Sequence, residues 1–356
     1  MQKMDPAVSR RFTWMKSIMC VLVIYVHCRN TDYFDVSTAP QIADLENRLC
    51  EIFAICAVPV FFFLSGYLFF RNYRPDQLLR KWKSRLFTLV IPFIVWNLLY
   101  YVFEMLLRVL PFTAGAFAGT TVPFNFRELL AAAFNCKYLP VFWFMQYLII
   151  YTILAPALWF LLKKRIPGLI TVLVVFAAVA ASGYLPNMGE PPFLLMLTHY
   201  FPGYLAGAYI AIHFGELFEY RRITAWKASV CLILSAGLII WQLKAPSFLS
   251  LELLRLLIGI LLWFSLGAIP FPEPARWTNY LFFLYAAHLM IAKLVNLAVC
   301  IKVSNHMIVG GIVWVILPVL IIIICTAVGT FFTRFLPHTA AVLGISRTNR
   351  KVPPKS

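Results

Sequence analysis

"AVPVFFFLSGYLFFRNYR", residues 57–74, joins an uncharged, mostly apolar run to two arginines. Basic residues directly after such a run are typical of the cytoplasmic end of a membrane-spanning helix. The whole chain has the same character, because 62% of its 356 residues are hydrophobic and only 13% are charged. In an average soluble protein about half of the residues are hydrophobic and about a quarter are charged. The sequence therefore predicts an all-α polytopic membrane protein.

Ten segments approach the roughly 20 apolar residues that a helix needs to cross a bilayer. They are 11–29, 49–70, 86–107, 139–162, 167–185, 193–213, 226–243, 249–269, 277–300 and 307–336. Lysine and arginine concentrate in alternate gaps between them and at both ends of the chain. Under the positive-inside rule this pattern places both termini in the cytoplasm. We therefore expect one transmembrane domain, residues 1–340, followed by a short basic cytoplasmic tail, residues 341–356.

The composition also argues against other classes of function. The net charge of +17 would suggest nucleic acid in a soluble protein, but here the basic residues lie in the gaps, where membrane orientation accounts for them. We expect the lipid bilayer, and no nucleic acid, as a partner. The eight cysteines form no C-x-x-C pair. This pattern predicts neither a disulfide framework nor a metal site.

Ionisable side chains inside membrane spans are costly and usually mark a function. Lys16 and His27 are eleven residues apart, which puts them on one face of a helix, about 16 Å apart along its axis. His288 lies at a depth similar to that of His27 in its own segment. Two such histidines can face one polar cavity, although each could also be a packed residue with a single hydrogen bond. Glu51 is the acid we expect to orient His27, because its segment enters from the same side.

Basic residues near the inner surface are candidates for binding a phosphorylated ligand. Arg71 and Arg74 are spaced to form a fork on one phosphate group. The alternative is that this basic segment only sets topology and attracts anionic lipids. Ser65, in "FLSG", lacks the strand context of a hydrolase nucleophile. We retain Ser65 only as a polar candidate near a substrate.

Five stretches, in order along the chain, resemble motifs of the membrane-bound acyltransferase 3 family, which O-acylates cell-surface glycans and lipids. The first is a basic residue, ten intervening residues and a histidine at the end of the first helix. The stretches are "MKSIMCVLVIYVHC" (15–28), "VPVFFFLSGYLFFRNYR" (58–74), "RKWKSRLFTLVIPF" (80–93), "VFWFMQYL" (141–148) and "YLFFLYAAH" (280–288). The chain resembles the stand-alone form of the family, without a fused hydrolase-like domain.

The resemblance implies that acetyl-CoA is the acyl donor, bound from the cytoplasmic side, with no tightly bound cofactor. An acceptor hydroxyl enters from the other side, and His27 takes its proton. The candidate donor-binding residues are Lys16, Arg71, Arg74, Lys83 and Arg85. Lys16 stands where the family usually has arginine. Lysine keeps the charge but loses the bidentate fork.

The chemistry is consistent with this resemblance. Acyl transfer to a hydroxyl needs a base near the attacking oxygen and a stabiliser for the tetrahedral oxyanion. His288, Gln146 or Tyr285 could stabilise the oxyanion. Trp143, one turn from Gln146, is either a substrate contact or an ordinary aromatic of the membrane interface.

Several alternatives stay open at this point. The acceptor could be a polysaccharide repeat unit, a lipid-linked sugar, a peptidoglycan precursor or a small osmolyte, and the donor could be succinyl-CoA. We expect the protein in the cytoplasmic membrane of a bacterium, and a homo-oligomer is left open. A transporter or proton-coupled carrier that uses the same histidines is the main competing function. A basic inner rim favours the acyltransferase, because a carrier does not need to bind coenzyme A.

Overall fold

A helix occupies each of the ten predicted membrane segments wherever the chain is described. The computed structural model describes residues 4–111, 113–181, 193–219, 223–244 and 251–345, and these ranges contain no strand. The helices are α1 (Pro6–His27), α2 (Pro40–Phe70), α3 (Leu78–Arg85), α4 (Ile91–Val109), α5 (Phe126–Phe134), α6 (Trp143–Ile153), α7 (Ala155–Leu162), α8 (Arg165–Ala181), α9 (Phe193–His213), α10 (Gly215–Phe218), α11 (Ala225–Lys244), α12 (Leu251–Ser265), α13 (Leu281–Lys302), α14 (Met307–Phe335) and α15 (Pro337–Val342).

Length and composition identify membrane spans among these helices. In the described ranges, five helical stretches are long and apolar enough to cross a bilayer, or six if the bent pair α6–α7 counts as one span. The five are Pro40–Phe70, Pro75–Val109, Ala225–Lys244, Arg276–Lys302 and Met307–Phe335. These findings support a nearly all-helical membrane protein. The count of ten spans and the cytoplasmic position of the termini stay predictions.

The N-terminal end of the second predicted segment differs from the structure. α2 begins at Pro40, whereas the sequence predicts a start at residue 49. With 31 residues, α2 is about 46 Å long and exceeds the roughly 30 Å of a hydrocarbon core. Residues 40–48 carry polar side chains, so hydropathy alone does not include them in a span. They nevertheless continue the helix.

The fourth predicted segment, 139–162, is broken. α6 and α7 meet at an angle of 62°. Pro156 explains the break, because proline lacks an N–H and its ring clashes with the carbonyl four residues earlier. That carbonyl belongs to Thr152, and it accepts a hydrogen bond of 2.9 Å from the Trp82 indole N–H. The polar group that proline leaves without a helical partner is therefore satisfied by a side chain.

The chain forms two compact units. Unit 1 comprises Met1–Val26, Arg48–Trp82 and Tyr147–Pro274. Unit 2 comprises His27–Asn47, Lys83–Gln146 and Ala275–Ser356. The proposed base, His27, is therefore the first residue of unit 2.

In unit 1, the backbones of α2 and α9 approach each other at two glycines. A Cβ atom at Gly66 would lie 2.1 Å from the Tyr204 carbonyl oxygen, and one at Gly207 would lie 2.0 Å from the Phe63 carbonyl oxygen. Small residues at crossing points allow this kind of close helix packing in membranes. The glycine of the "FLSG" motif is thus required by packing.

In unit 2, the start of the predicted tail is part of the folded structure. Leu343 and Ile345 are buried, and the Leu343 carbonyl accepts a 3.2 Å hydrogen bond from the Trp96 indole. Gly344 has a positive φ and packs under the Phe282 ring. Residues 341–345 therefore pack with the transmembrane domain, and residues 346–356 lie outside the described ranges.

The predicted topology can be tested with reporter fusions. Fusions at Asp35, Thr120 and Asn305 should report an extracytoplasmic position, whereas fusions at Arg80 and Lys164 should report a cytoplasmic one. Paired alkaline phosphatase and green fluorescent protein fusions measure this directly. An extracytoplasmic signal at Arg80 would contradict the ten-span arrangement and the sidedness of the donor.

Candidate active site

Two histidines that the sequence singles out lie together in unit 2. The ring centroids of His27, at the end of α1, and His288, in α13, are 5.4 Å apart, with an angle of 47° between the ring planes. His288 is fully buried, and His27 is half-buried. The structure thus brings the two histidines together, whereas the sequence predicts only that they could face one polar cavity.

The hydrogen bonding of His288 shows which nitrogen of its ring carries the hydrogen. Its Nδ1 lies 2.7 Å from the Tyr285 carbonyl oxygen, which can only accept, so Nδ1 carries the hydrogen. The Nε2 atom of the neutral ring is then an acceptor. Nε2 is buried, and no described residue gives it a hydrogen bond. A buried acceptor without a donor is uncommon in folded proteins, and it makes Nε2 available to a donor from a substrate.

Tyr100, from α4, holds the helical turn around His288. Its hydroxyl donates to the Ala286 carbonyl at 3.2 Å and accepts from the Met290 N–H at 2.8 Å. These two backbone groups flank His288 on α13. The phenol therefore ties α4 to the turn that carries the histidine.

A second buried polar group fixes the chain just beyond His27. The Glu46 carboxylate, 1% exposed, accepts a 2.7 Å hydrogen bond from the Asn30 backbone N–H. The Asn30 side chain donates to the Gly310 carbonyl at 2.7 Å. The end of α1 is thereby connected to α2 and α14 within unit 2.

Comparison with models of known protein families shows to which family the chain belongs. The family model described as "Acyltransferase domain" (acyltransferase 3) matches residues 10–333, nearly the whole chain. The chain belongs to the acyltransferase 3 family. No curated protein and no solved structure matches it. Membership supports a membrane acyltransferase over the competing carrier hypothesis.

This acyltransferase has an ionic cluster in unit 2, on α4 and α13. The Glu104 carboxylate binds the Lys293 ammonium and, at 2.9 Å, the Arg108 guanidinium. Phe117, from the loop after α4, lies over both cations, 5.1 Å from each. Glu104 and Lys293 both fall inside predicted membrane segments, but the sequence does not show that they pair. The i,i+4 spacing of Glu104 and Arg108 is the signal that could have found half of the cluster.

Two predicted oxyanion stabilisers are engaged with backbone. The Tyr285 hydroxyl donates to the Val141 carbonyl, which uses its only proton. The Gln146 amide nitrogen donates to the Phe134 carbonyl at 2.9 Å and has a second N–H. Trp143 is half-buried, with its ring 6.3 Å from that of Phe144. Gln146 keeps a free donor capacity in this arrangement, and Tyr285 does not.

Arg71 and Arg74, which the sequence predicts to form a fork on one phosphate, bind different carboxylates in the structure. Arg71 binds the Glu219 carboxylate through Nε and Nη2, and Tyr67 donates to the same carboxylate at 2.8 Å. Arg74 is 69% exposed in its side chain and binds Asp76 at 3.1 Å. Arg74 therefore faces solvent, whereas Arg71 closes an ion pair within unit 1.

The other residues predicted to bind the acyl donor lie on α1 and α3. Lys83 is exposed and Arg85 is half-buried on α3, and Lys16 is half-buried on α1. Unit 1 also has a pocket that the sequence did not indicate, with a volume of about 460 Å³. It is lined by Ala7, Arg10, Arg11, Gly267, Ile269, Pro270 and Phe271. The Arg10 guanidinium at this pocket binds the Glu273 carboxylate at 2.7 Å.

Glu51 and Ser65, the last two candidates from the sequence, differ in how far they are buried. Glu51 is exposed on α2, whereas Glu46, one turn earlier, is the buried acid. Ser65 is half-buried next to Gly66. Hydropathy places residue 46 outside the span, so sequence reasoning assigned it to a loop and missed it. The roles predicted for Glu51 and Ser65 stay predictions.

Proposed function

We propose that this protein is an O-acetyltransferase that moves an acetyl group from cytoplasmic acetyl-CoA to a hydroxyl of a cell-surface glycan or lipid-linked sugar. The observation that carries the proposal is the pair His27–His288, with ring centroids 5.4 Å apart, in a chain of this family. Histidine suits proton transfer near neutral pH better than any other side chain.

His27 is the general base in this mechanism. It takes the proton of the acceptor hydroxyl while the oxygen attacks the thioester carbonyl carbon. A C–O bond forms, and the tetrahedral intermediate collapses with cleavage of the C–S bond. The coenzyme A thiolate leaves and receives the proton from the His27 imidazolium. Atoms and charges balance without a metal or a redox partner.

His288 acts as a second proton acceptor beside His27. Its Nδ1–H is committed to the Tyr285 carbonyl, so Nε2 can receive a hydrogen bond but the neutral ring cannot donate one from that atom. Stabilisation of the oxyanion then falls to another donor. The second N–H of Gln146 is the candidate that the hydrogen bonding leaves available.

The donor nucleotide binds basic side chains on the cytoplasmic side. The exposure of Arg74 and the pocket beside Arg10 and Arg11 support such a site in unit 1. Arg71 has a different role in the proposal. Its bidentate pair with Glu219 holds the end of α2 against α10.

The two arginines should therefore respond differently to substitution. Arg74→Gln should weaken coenzyme A binding by on the order of 1.5–3 kcal/mol, the usual effect of losing a charge-assisted contact, and leave stability unchanged. Arg71→Gln should lower stability at pH 7, because it leaves the Glu219 carboxylate without its cation. Isothermal titration calorimetry and thermal unfolding in detergent measure the two effects.

The effect of Arg71→Gln should depend on pH. Burial alone would raise the pKa of Glu219, but hydrogen bonds from Arg71 and Tyr67 outweigh it and lower the pKa below its ordinary value. A group of this kind stabilises the fold above its unfolded pKa of about 4.3, and the stabilisation is lost as the pH falls. The difference between wild type and Arg71→Gln should shrink at acidic pH. A constant difference would contradict the ion-pair role.

Mass spectrometry tests the proposed function as a whole. Surface glycans and glycolipids from cells that carry the gene should contain acetyl esters that disappear when the gene is deleted and do not return with a His27→Ala copy. Glycans identical in all three strains, together with uptake of a solute that depends on the gene, would instead support a carrier.

A further inference from the structure

A surface groove in unit 2 runs between the first turns of α2 and α14. It has a volume of about 430 Å³, and Ile42 and Leu45 face Ile308, Gly311 and Ile312 across it. Of the described residues that line the groove, Glu46 alone is charged. At ~30 Å³ per water molecule, the volume equals roughly fourteen waters. The groove is therefore large enough for a segment of an aliphatic chain.

The groove is open at the side of the helices. Leu45 and Ile312 are 56% and 55% exposed, and α14 is among the most apolar helices of the chain. Large exposed apolar patches mark contact with a lipid or a partner. An apolar chain in the bilayer could enter this groove without crossing the protein.

Hydrogen bonding at Glu46 makes the groove different from an ordinary lipid-facing surface. Its Oε1 accepts from the Asn30 N–H, but Oε2 is buried without a partner among the described residues. The Oδ1 atom of Asn30 is likewise buried without a donor. Two neighbouring buried acceptors require a donor to be satisfied. A head group that carries hydroxyls supplies donors, whereas a phosphodiester supplies only acceptors.

Chain connectivity links the groove to the proposed base, because Glu46 accepts a hydrogen bond from the Asn30 N–H. Asn30 lies three residues beyond His27, and its side chain donates to the carbonyl of Gly310, the neighbour of the groove residue Gly311. The residue that connects Glu46 to α14 thus belongs to the same short segment as His27. A hydroxyl-bearing head group held at Glu46 would lie close to the end of α1.

We infer that this groove binds the aliphatic chain of a lipid-anchored acceptor, and that Glu46 and Asn30 receive hydrogen bonds from the hydroxyls of its head group. The inference rests on the proposed function and names the class of acceptor: a glycolipid with hydroxyls next to the chain. Head groups that begin with a phosphodiester are disfavoured at this position, because they bring no donor for the Glu46 and Asn30 oxygens.

Photolabelling of the full-length protein in nanodiscs tests the site without acyl transfer. The probe is dodecyl glucoside with a diazirine in its chain, and the control probe is dodecyl phosphocholine with the same chain. Glucoside labels should map to the first turns of α2 and α14. Ile312→Trp should fill the groove and reduce labelling by about tenfold, as expected when a chain loses the burial of about two methylene groups.

The matched control is Ile323→Trp. Ile323 is 60% exposed and lies eleven residues further along α14, on the same face but outside the groove. Labelling should be unchanged in this variant. A second variant, Glu46→Gln, keeps an acceptor for the Asn30 N–H but replaces the other oxygen by a donor. It should lower the preference for glucoside over phosphocholine.

Acetyl transfer to dodecyl glucoside and to free glucose separates the inference from the proposed function. Faster transfer to dodecyl glucoside that Ile312→Trp abolishes supports both. Equal labelling by the two probes, or transfer that Ile312→Trp leaves unchanged, would overturn the groove as the acceptor site. Groove labelling by the glucoside without any acetyl transfer would keep the site and count against the proposed function.

Discussion

Replacement of His27 with alanine should abolish acetyl transfer while the protein stays folded and binds coenzyme A. Loss of a general base typically costs about a hundredfold to ten-thousandfold in rate. The His27 ring is half-buried and packs on His288, so its removal takes away one ring contact and leaves the Asn30–Glu46 hydrogen bond in place. Single-turnover transfer from labelled acetyl-CoA measures the rate, and calorimetry with coenzyme A measures donor binding.

The control for this experiment is His338→Ala. His338 is exposed on α15, so its removal should change neither rate nor binding. Lys16→Arg should be tolerated if the lysine only replaces the arginine usual in the family. A His27→Ala protein that transfers acetyl at close to the wild-type rate would make His27 a packed residue. His288, whose Nε2 is available, would then be the first residue to examine as the base.

Gly66→Ala should prevent normal folding. The added Cβ would lie 2.1 Å from the Tyr204 carbonyl oxygen and 3.2 Å from the Ala208 nitrogen, and backbone atoms cannot rotate away as a side chain can. Overpacking of this kind costs about 1–3 kcal/mol or more. The expected result is a low yield of monodisperse protein and a reduced Tm.

The matched control is Gly237→Ala, on α11. A Cβ at Gly237 meets nothing within 4 Å, so the alanine should be neutral or stabilise the helix by up to ~1 kcal/mol. If Gly66→Ala folds like the control but loses activity, the glycine of the "FLSG" motif has a role in substrate binding and not in packing.

Much of the fold could be predicted from the sequence, because hydropathy reports directly on burial in a bilayer. Each predicted segment contains a helix, and the family resemblance is confirmed by the match over residues 10–333. The break at Pro156 was harder to foresee. Proline is tolerated inside other helices of the chain, such as α2 at Pro59. Whether it breaks a helix depends on partners such as Trp82, which are distant in sequence.

The site was predicted less completely, because the hydrophobic periodicity of a sequence does not show which side chains of different helices contact each other. The sequence identified His27 and His288, but only the structure brings their rings to 5.4 Å. The Arg71–Glu219 pair shows the same limit. A spacing that suits a phosphate fork cannot show that a carboxylate 148 residues away already binds the guanidinium.

The hydrogen bond between Trp82 and Thr152 has a consequence for biogenesis. Trp82 and Thr152 are 70 residues apart in the chain. The Thr152 carbonyl can therefore accept this hydrogen bond only after α3 and the α6–α7 pair have come together. In hydrocarbon, a polar backbone group without a partner costs several kcal/mol. The bent pair α6–α7 is therefore poorly suited to release into lipid on its own. It should remain beside the insertion machinery until the indole of α3 has docked, which makes this bend a late step of assembly.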